Sequence, residues 1–271
     1  MKKIILSALL LLPLFLLSAC TTALPGEEVM QNLVNRSADL DSYHQFVAVK
    51  TTTTKEDLNG ATTVNEQYTT ADATLFPEEK TGYGKRIDKN NPYSATKSEF
   101  YVTAEVGYVR TDDADWTAYA TPDVPLASLQ VYPLETFIEL SQIIETYGTL
   151  ERKGDEYVLH FSGSDDALNK EVNYLFQTFP AERTDYEIEI RLDAETFYLS
   201  DFSYRSIVTQ ADQKAVSTTE LTGEFDLYDQ AKKLKSVPVF DSASSVPETS
   251  DLHFDKNSIP KSINVCLWDF G

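Results

Sequence analysis

DYEIEIRL, residues 185–192, is the most regular pattern in the sequence, because apolar and charged side chains alternate strictly in it. Tyr186, Ile188, Ile190 and Leu192 share one face of an extended chain, since successive side chains in a strand point to opposite sides. Such alternation is typical of an antiparallel sheet with one face on a core and the other in water. The pattern therefore predicts a half-buried strand of an antiparallel sheet.

Strand-like segments continue on both sides of this stretch. Before it they are the segment from Tyr43, Thr62–Ala73, Thr81–Asp88, Lys97–Thr103, Gly107–Thr111, Asp115–Tyr119, Leu150–Lys153 and Tyr157–Ser162, and after it Phe197–Thr209 and Val216–Tyr228. Most of the connections are short, which indicates antiparallel neighbours. The sequence therefore predicts a meandering sheet of about ten strands.

The first two of these segments are rich in threonine and poor in apolar residues. Between them stands Asn59-Gly60, the pair favoured in a two-residue type I′ hairpin turn, because both central residues of that turn have positive φ. A long hairpin with so few apolar side chains has little to bury on either face. We therefore expect this hairpin at an edge of the sheet.

Three segments carry apolar residues at helical spacing. They are Glu27–Asp41, a segment that begins at Pro133 and ends at Gly148, and a segment that Ser164 or Asp165 caps and that extends to Phe179. Gly148 suits the left-handed residue that follows a helix, whereas Pro122 and Pro125 are expected to interrupt the strands before Pro133. About three helices and about ten strands predict an α+β domain, a curved antiparallel sheet or half-barrel packed over helices.

The first residues of the chain predict its location. Lys2 and Lys3 precede an apolar run from Ile4 to Leu17, which is shorter than the ~20 residues of a membrane-spanning helix. This is the pattern of a signal peptide. The run ends in Leu17-Ser18-Ala19-Cys20, which resembles the bacterial lipobox. We expect cleavage before Cys20, a diacylglycerol or acyl modification on its thiol, and anchoring to the extracytoplasmic face of the cell membrane.

The net charge of −20 limits the partners of the chain. Nucleic acid is not expected as a partner, because its phosphates require a basic surface. Anionic lipid would repel the protein, so membrane attachment depends on a covalent anchor. Of the two cysteines, Cys20 is taken by lipid, which leaves Cys266 without a partner for an internal disulfide. Cys266 is then a small residue near an apolar terminus or, alternatively, an intermolecular bridge or reactive thiol.

Motifs for bond chemistry and metal binding are scarce. Neither HExxH nor another paired ligand spacing accompanies His44, His160 or His253, so no metal site is expected. The chain also lacks the Gly-x-Ser-x-Gly elbow of serine hydrolases. The acidic cluster at residues 112–115 lacks the spacing of a calcium loop and predicts a hairpin turn. The glutamates of residues 185–192 are interpreted as a solvated strand face rather than a glycosidase pair. We expect no enzymatic activity and no cofactor beyond the lipid.

Four stretches, in this order, resemble an uncharacterised family of exported lipoproteins from Gram-positive bacteria. They are Glu28-Val29 through Tyr43, Glu99–Trp116, Tyr157–Gly163 and Tyr186–Tyr198. That family is similar to the lipoprotein-carrier superfamily, which includes LolA and the mycobacterial lipoproteins LppX and LprG. The resemblance implies an antiparallel half-barrel wrapped over helices, with an apolar cavity for acyl chains and no catalytic residue.

These observations divide the chain into four parts. They are a signal peptide at residues 1–19, the lipidated cysteine and a connector at 20–26, a LolA-like half-barrel domain at 27–235 and an extended tail at 236–271. The tail contains Pro238, Pro247 and Pro260 in a serine-rich segment, which favours an extended chain.

Two functions from different classes fit this organisation. The first is a membrane-anchored protein that binds a lipid, an acyl chain or another hydrophobic small molecule in the half-barrel. Its expected ligand-binding residues are Tyr108, Trp116, Tyr186, Ile188 and Ile190, each of which has ordinary packing between sheet and helices as the alternative. The second is a cell-envelope module without a cavity, which contacts a protein partner through its threonine-rich strands. A further alternative is that the signal peptide releases residues 13–19 as a signalling peptide.

Overall fold

The computed structural model describes residues 24–91, 94–178, 183–210 and 214–233. The chain divides after Lys232 into two units, and the second, residues 233–271, lies outside the described part apart from its first residue. The predictions for the signal peptide, for Cys20, for Cys266 and for the tail at 236–271 therefore fall outside the described residues. Within the described ranges, no helix has both the length and the apolar character needed to cross a membrane.

The described chain contains four helices and eleven strands. The helices are α1 Gly26–Ala38, α2 Asp123–Gln130, α3 Leu134–Tyr147 and α4 Asp166–Leu175. The strands are β1 Tyr43–Glu56, β2 Thr62–Phe76, β3 Thr81–Asn91, β4 Ser94–Val102, β5 Gly107–Thr111, β6 Thr117–Tyr119, β7 Thr149–Lys153, β8 Glu156–Gly163, β9 Arg183–Asp193, β10 Leu199–Gln210 and β11 Ala215–Asp226. The predicted α+β class, a curved antiparallel sheet packed over helices, is confirmed.

The described strands form one sheet in the order β6-β5-β4-β3-β2-β1-β11-β10-β9-β8-β7. The prediction that the threonine-rich hairpin lies at an edge is wrong for most of the hairpin, because β1 pairs with β2 on one side and with β11 on the other and is the central strand. Only residues 62–67 of β2 have β1 as their one neighbour among the described strands. Only the outer half of the hairpin is poor in buried side chains. Tyr43, Val47 and Leu75 at its base lie in the core, whereas residues 57–67 are exposed. The base of the hairpin therefore supplies the apolar contacts that a central position requires.

The turn of this hairpin also differs from the predicted two-residue type I′ turn. Residues 57–61 connect β1 to β2, and of these only Gly60 has a positive φ, of 81°. The Asp57 carboxylate accepts hydrogen bonds from the backbone N–H groups of Asn59 and Ala61, each at 2.8 Å. An aspartate that bonds to the backbone two residues on is a common way to build a turn. Asp57 therefore organises this turn together with one left-handed glycine.

The buried face of the sheet is the one predicted from residues 185–192. The apolar side chains of that stretch are at most 4% exposed and lie in the core together with side chains of α1, α3 and α4. Phe137 of α3 stands at the centre of this core. Its ring centroid is 4.9 Å from that of Phe202 and 5.1 Å from that of Phe225, in edge-on contacts. The protein's own side chains therefore fill the space between the sheet and α3.

Helix α2 is absent from the sequence prediction, which assigned an interruption to Pro122 and Pro125. Pro122 immediately precedes the first helical residue, Asp123, and Pro125 lies in the first turn. The backbone N–H groups of the first turn have no partner within a helix, so proline is tolerated there. Of the eight residues of α2, only Pro125 and Leu129 are buried. Two positions are too few to form a visible apolar stripe.

The ends of the two predicted helices α3 and α4 have definite causes. Gly148 ends α3 as predicted, but its φ is −103° instead of left-handed, and its N–H donates to the Ile144 carbonyl oxygen. Glycine is required because a Cβ at this position would lie 2.5 Å from the His160 carbonyl oxygen of β8. Of the two predicted caps for α4, Asp165 is the cap, and its carboxylate accepts from two backbone N–H groups of the first turn.

Candidate functional site

A cleft of about 220 Å³ lies where α2 packs against β3, β4 and β5, on the helix-covered face of the sheet. Helix α3 packs against the strands on the other side of β1, so α2 alone covers this region among the described helices. We name this space the α2 cleft. Its lining side chains, both polar and apolar, are Arg86, Asp88, Ser98, Phe100, Val109, Tyr119, Val124, Pro125 and Ser128.

Glycines in two strands bring α2 close to the sheet. A Cβ at Gly107 in β5 would lie 2.6 Å from Pro125 Cγ, and a Cβ at Gly84 in β3 would lie 3.0 Å from Leu129 Cδ1. Protein interiors are close-packed, and such separations leave no room for a methyl group. The two glycines therefore set how deeply α2 sits on the sheet, and with it the dimensions of the α2 cleft.

The polar wall of the α2 cleft is an ion pair between Arg86 and Asp88. Arg86 Nε and Nη2 lie 2.8 and 2.9 Å from carboxylate oxygens of Asp88, and Nη1 donates to the Ser128 carbonyl oxygen at 2.9 Å. Thr69 Oγ1 in β2 donates to Asp88 Oδ1 at 2.8 Å. The Arg86 and Asp88 side chains are 28% and 23% exposed, so the pair is largely shielded from water. The sequence signal for this pair is its spacing of two in a predicted strand, which places both charges on one face.

The remaining walls of the α2 cleft are mostly apolar. Phe100 and Pro125 are buried, and Val109 is half-buried. Val124 and Tyr119 are 56% and 40% exposed. Concave sites with mostly apolar walls and a few fixed polar groups are typical of small-molecule binding. The arrangement can hold an apolar group against Phe100 and Val109 and a polar group against the ion pair.

Three of the five sequence-predicted ligand residues lie together in the core. Tyr186, Ile188 and Ile190 of β9 are 4%, 0% and 0% exposed and pack against the helices. The Tyr186 hydroxyl donates to Asn169 Oδ1 of α4 at 2.7 Å, and burial raises the pKa of Tyr186 to about 12. These contacts are packing contacts between the sheet and the helices, which was the alternative interpretation of Tyr186, Ile188 and Ile190. None of the three lines the α2 cleft.

The other two, Tyr108 and Trp116, belong to the outer face of the sheet. Val109 lines the α2 cleft, so Tyr108, its neighbour in β5, points to the opposite side. The Arg110 guanidinium carbon, on the same outer face, is 5.1 Å from the centroid of the Trp116 ring, and Arg110 forms an ion pair with Glu99. The five predicted residues are thus divided between two faces of the sheet, and a ligand role for any of them stays a prediction.

Hydroxyl groups line the helix-covered face of the sheet towards the tip of the β1–β2 hairpin. Thr51 Oγ1 is 3.5 Å from Thr219 Oγ1, and Thr53 Oγ1 is 3.2 Å from Ser217 Oγ, across the pairing of β1 with β11. All four side chains are half-buried. A cradle for acyl chains requires an apolar surface, which these hydroxyls do not provide. This part of the helix-covered face is therefore not an apolar cradle, and the α2 cleft is the candidate site among the described residues.

A histidine on the outer face links the three central strands. His44 Nδ1 lies 2.7 Å from Asp226 Oδ1 in β11, and His44 Nε2 lies 2.9 Å from Asp72 Oδ1 in β2. Burial alone would lower the pKa of His44, but hydrogen bonds to the two carboxylates, together with their charges, raise that pKa to about 9. Both ring nitrogens therefore carry protons at neutral pH. Among the described residues, no group of three or more His, Cys, Asp or Glu is placed to hold a metal ion.

Comparison of the sequence with models of known protein families shows to which family the chain belongs. Residues 26–240 match a family of unknown function, DUF6612. The chain belongs to this family. The match includes β1 to β11 and the whole α2 cleft, so the site described above lies within the part that defines the DUF6612 family. A search of curated proteins finds no significant match.

The solved structures that match this chain include the following two. A DUF1329 family protein from Desulfovibrio piger ATCC 29098 is 8% identical, and the match covers 76% of this chain and 95% of that one, with a TM-score of 0.25. A LolA superfamily protein from Nitrosomonas europaea is 9% identical, and the match covers 74% of this chain and 94% of that one, with a TM-score of 0.18. The second belongs to the superfamily that the sequence motifs resemble. At these TM-scores, neither match bears on function.

Proposed function

We propose that this chain is an extracytoplasmic lipoprotein, anchored to the cell membrane by acyl groups on Cys20, that binds a hydrophobic ligand in the α2 cleft without bond chemistry. The observation that carries the proposal is an apolar wall that faces a fixed ion pair across about 220 Å³ of open space. Pockets for whole drug-sized ligands begin at about 300 Å³. The cleft therefore takes one part of a ligand, an apolar segment together with the polar group next to it.

The position of the first described residue supports the anchored arrangement. The backbone nitrogen of Leu24 is 3.5 Å from the hydroxyl oxygen of Tyr157, which lies at the start of β8. Cys20 precedes Leu24 by four residues, and four extended residues span at most ~14 Å. A lipid on Cys20 would therefore be attached within about 14 Å of chain from Leu24. The tip of the β1–β2 hairpin, with Leu58 fully exposed, lies at the opposite end of the sheet from Tyr157.

Filling the α2 cleft should abolish ligand binding. In the mature chain, residues 20–271 with Cys20→Ser, which has neither signal peptide nor lipid, we expect the neutral fluorescent probe N-phenylnaphthylamine to bind. Ser98→Phe should weaken this binding at least about tenfold, because a ring would occupy the space beside Arg86 and Phe100. The matched control is Ser203→Phe, whose side chain is exposed on β10. Equal affinity in the two folded variants would exclude the cleft, and a parent protein that binds no probe would refute the proposal.

A second function, protein contact at a sheet edge, is favoured by the β1–β2 hairpin. Strand β3 pairs with β2 only from Tyr68 to Phe76, so residues 62–67 of β2 have β1 as their one neighbour among the described strands. Unpaired backbone groups at such an edge are a template for a partner's strand. Val64 lies within this edge and is 58% exposed. In this alternative the hairpin, rather than the α2 cleft, is the functional surface.

Site-specific photo-cross-linking in intact cells distinguishes this alternative. A benzophenone amino acid at Val64 should give one discrete protein adduct if the β2 edge binds a partner. The control is the same amino acid at Tyr174, which is 84% exposed on α4 and distant in sequence from the hairpin. Adducts of the same size and yield from both positions, or none from Val64, would contradict a docking role for the edge.

A further inference from the structure

We propose that the ligand of the α2 cleft carries an uncharged polar headgroup at the end of its apolar part, an inference that rests on the proposed function. The headgroup would lie against the Arg86–Asp88 pair and the apolar part against Phe100 and Val109. Alcohols and primary amides are the chemical class that fits, because each has both a donor and an acceptor.

The reason lies in the charge balance of the polar wall. Arg86 and Asp88 are opposite charges in direct contact, at 2.8 Å, so their fields largely cancel at the cleft. A carboxylate ligand beside the Arg86 guanidinium would be repelled by the Asp88 carboxylate. An ammonium ligand beside the Asp88 carboxylate would be repelled by the Arg86 guanidinium. Either charge would lose its hydration in a site without net charge to replace it. An uncharged headgroup avoids that cost.

The neighbouring polar groups fit the same class of ligand. Ser98 and Ser128 line the α2 cleft beside the pair. Ser128 Oγ donates to the Val124 carbonyl oxygen at 3.0 Å, so it offers a ligand an acceptor, whereas Ser98 Oγ, 3.5 Å from Thr111 Oγ1, can donate or accept. Three of the five N–H groups of Arg86 are used in the contacts with Asp88 and with the Ser128 carbonyl oxygen. The guanidinium is therefore held in place by α2 and β3, and it is not free to turn towards an anionic ligand. A preformed, electrically neutral wall selects for ligands of matching polarity.

Three probes that differ only in the headgroup test the inference. Octanol, octanoate and octylammonium are each used at pH 7.5 to displace N-phenylnaphthylamine from the mature chain, residues 20–271 with Cys20→Ser. We expect octanol to bind at least about tenfold more tightly than either ion. Similar affinity for all three would overturn the headgroup inference but leave the proposed function intact. If none displaces a probe that does bind, or if no probe binds, the proposed function itself fails.

Removing one charge of the pair should reverse the preference. With Asp88→Asn, the unpaired guanidinium should make octanoate the tightest ligand, and with Arg86→Gln the unpaired carboxylate should favour octylammonium. The matched control is Asp185→Asn, because Arg183 and Asp185 form an ion pair with the same spacing of two, at 3.0 Å, outside the cleft. Thermal unfolding shows which variants are folded. An octanol preference that persists unchanged in folded Asp88→Asn and Arg86→Gln, or that disappears equally in Asp185→Asn, would overturn the role of the pair.

Discussion

Replacing Gly84 with alanine is expected to lower the free energy of unfolding by about 3 kcal/mol, because the added methyl group has no room. Its Cβ would clash with the Asp72 carbonyl oxygen of β2, and it would lie 2.9 Å from Ala73 Cα in β2 and 3.0 Å from Leu129 Cδ1 in α2. The backbone of β2 is held on both sides by strand pairing, so it cannot move aside cheaply. Strand β3 must therefore shift away from β2, and Leu129 of α2 must give way on the other side of the added methyl group. We expect the same variant to bind N-phenylnaphthylamine more weakly, since α2 forms one wall of the cleft.

Urea unfolding of the full-length chain measures the loss of stability, with Gly60→Ala as the control. Gly60 has a φ of 81° and no atom within 4 Å of the position of a Cβ. Alanine at this position costs only the left-handed conformation, about 1 kcal/mol. The difference between the two variants isolates the contact with β2 and α2. A loss at Gly84 no larger than that at Gly60 would mean that β2, β3 and α2 rearrange around the methyl group at little cost, and that the α2 cleft is not a preformed site.

The sequence predicts individual strands well, because a strand with one buried face has apolar and polar residues in alternation. In β9, the alternation of residues 185–192 matches the buried and exposed faces of the strand. The order of the strands in the sheet has no comparable pattern in the local sequence. Strand β1 pairs with β11, which lies far along the chain; His44, for example, stands opposite Asp226. This pairing places the threonine-rich hairpin at the centre of the sheet. The position of the hairpin in the sheet therefore depends on long-range strand pairing. Its local composition, from which an edge was predicted, does not determine that position.

The candidate site was harder to predict, because it depends on which residues share a face after folding. Tyr108 and Val109 are adjacent in the sequence, yet only Val109 lines the α2 cleft. Tyr108 is one of the predicted ligand residues, whereas Arg86 and Asp88 look like ordinary strand charges in the sequence. They become the wall of a cleft only because α2, a helix that begins with prolines and has two buried residues, packs beside them. A site formed by such a short helix leaves little trace in the sequence.

The stability of the folded domain is expected to fall by about 2 kcal/mol between pH 6.5 and pH 9 because of His44. The pKa of His44 in the folded protein is about 9, above the ordinary value of 6.5, so the folded state holds this proton more tightly than the unfolded chain does. The stabilisation is complete below pH 6.5, declines as the pH rises, and is lost above pH 9. A shift of this size corresponds to about 3 kcal/mol, and solvent around the exposed Asp72 and Asp226 carboxylates reduces it to about 2 kcal/mol.

Urea unfolding of the wild-type chain and of His44→Gln, repeated from pH 6 to pH 9.5, measures this effect. The glutamine variant should be less stable at pH 6 and should show little of the decline, because it has no proton to lose in this range. His160→Gln is the control, since His160 is exposed on β8, away from the two aspartates, and its loss should leave the decline unchanged. Because His44 bonds to both neighbours of β1, the decline reports on how firmly the central strands are joined. A decline that survives in His44→Gln would place its cause in another group and would leave the His44 link without a role in holding β2, β1 and β11 together.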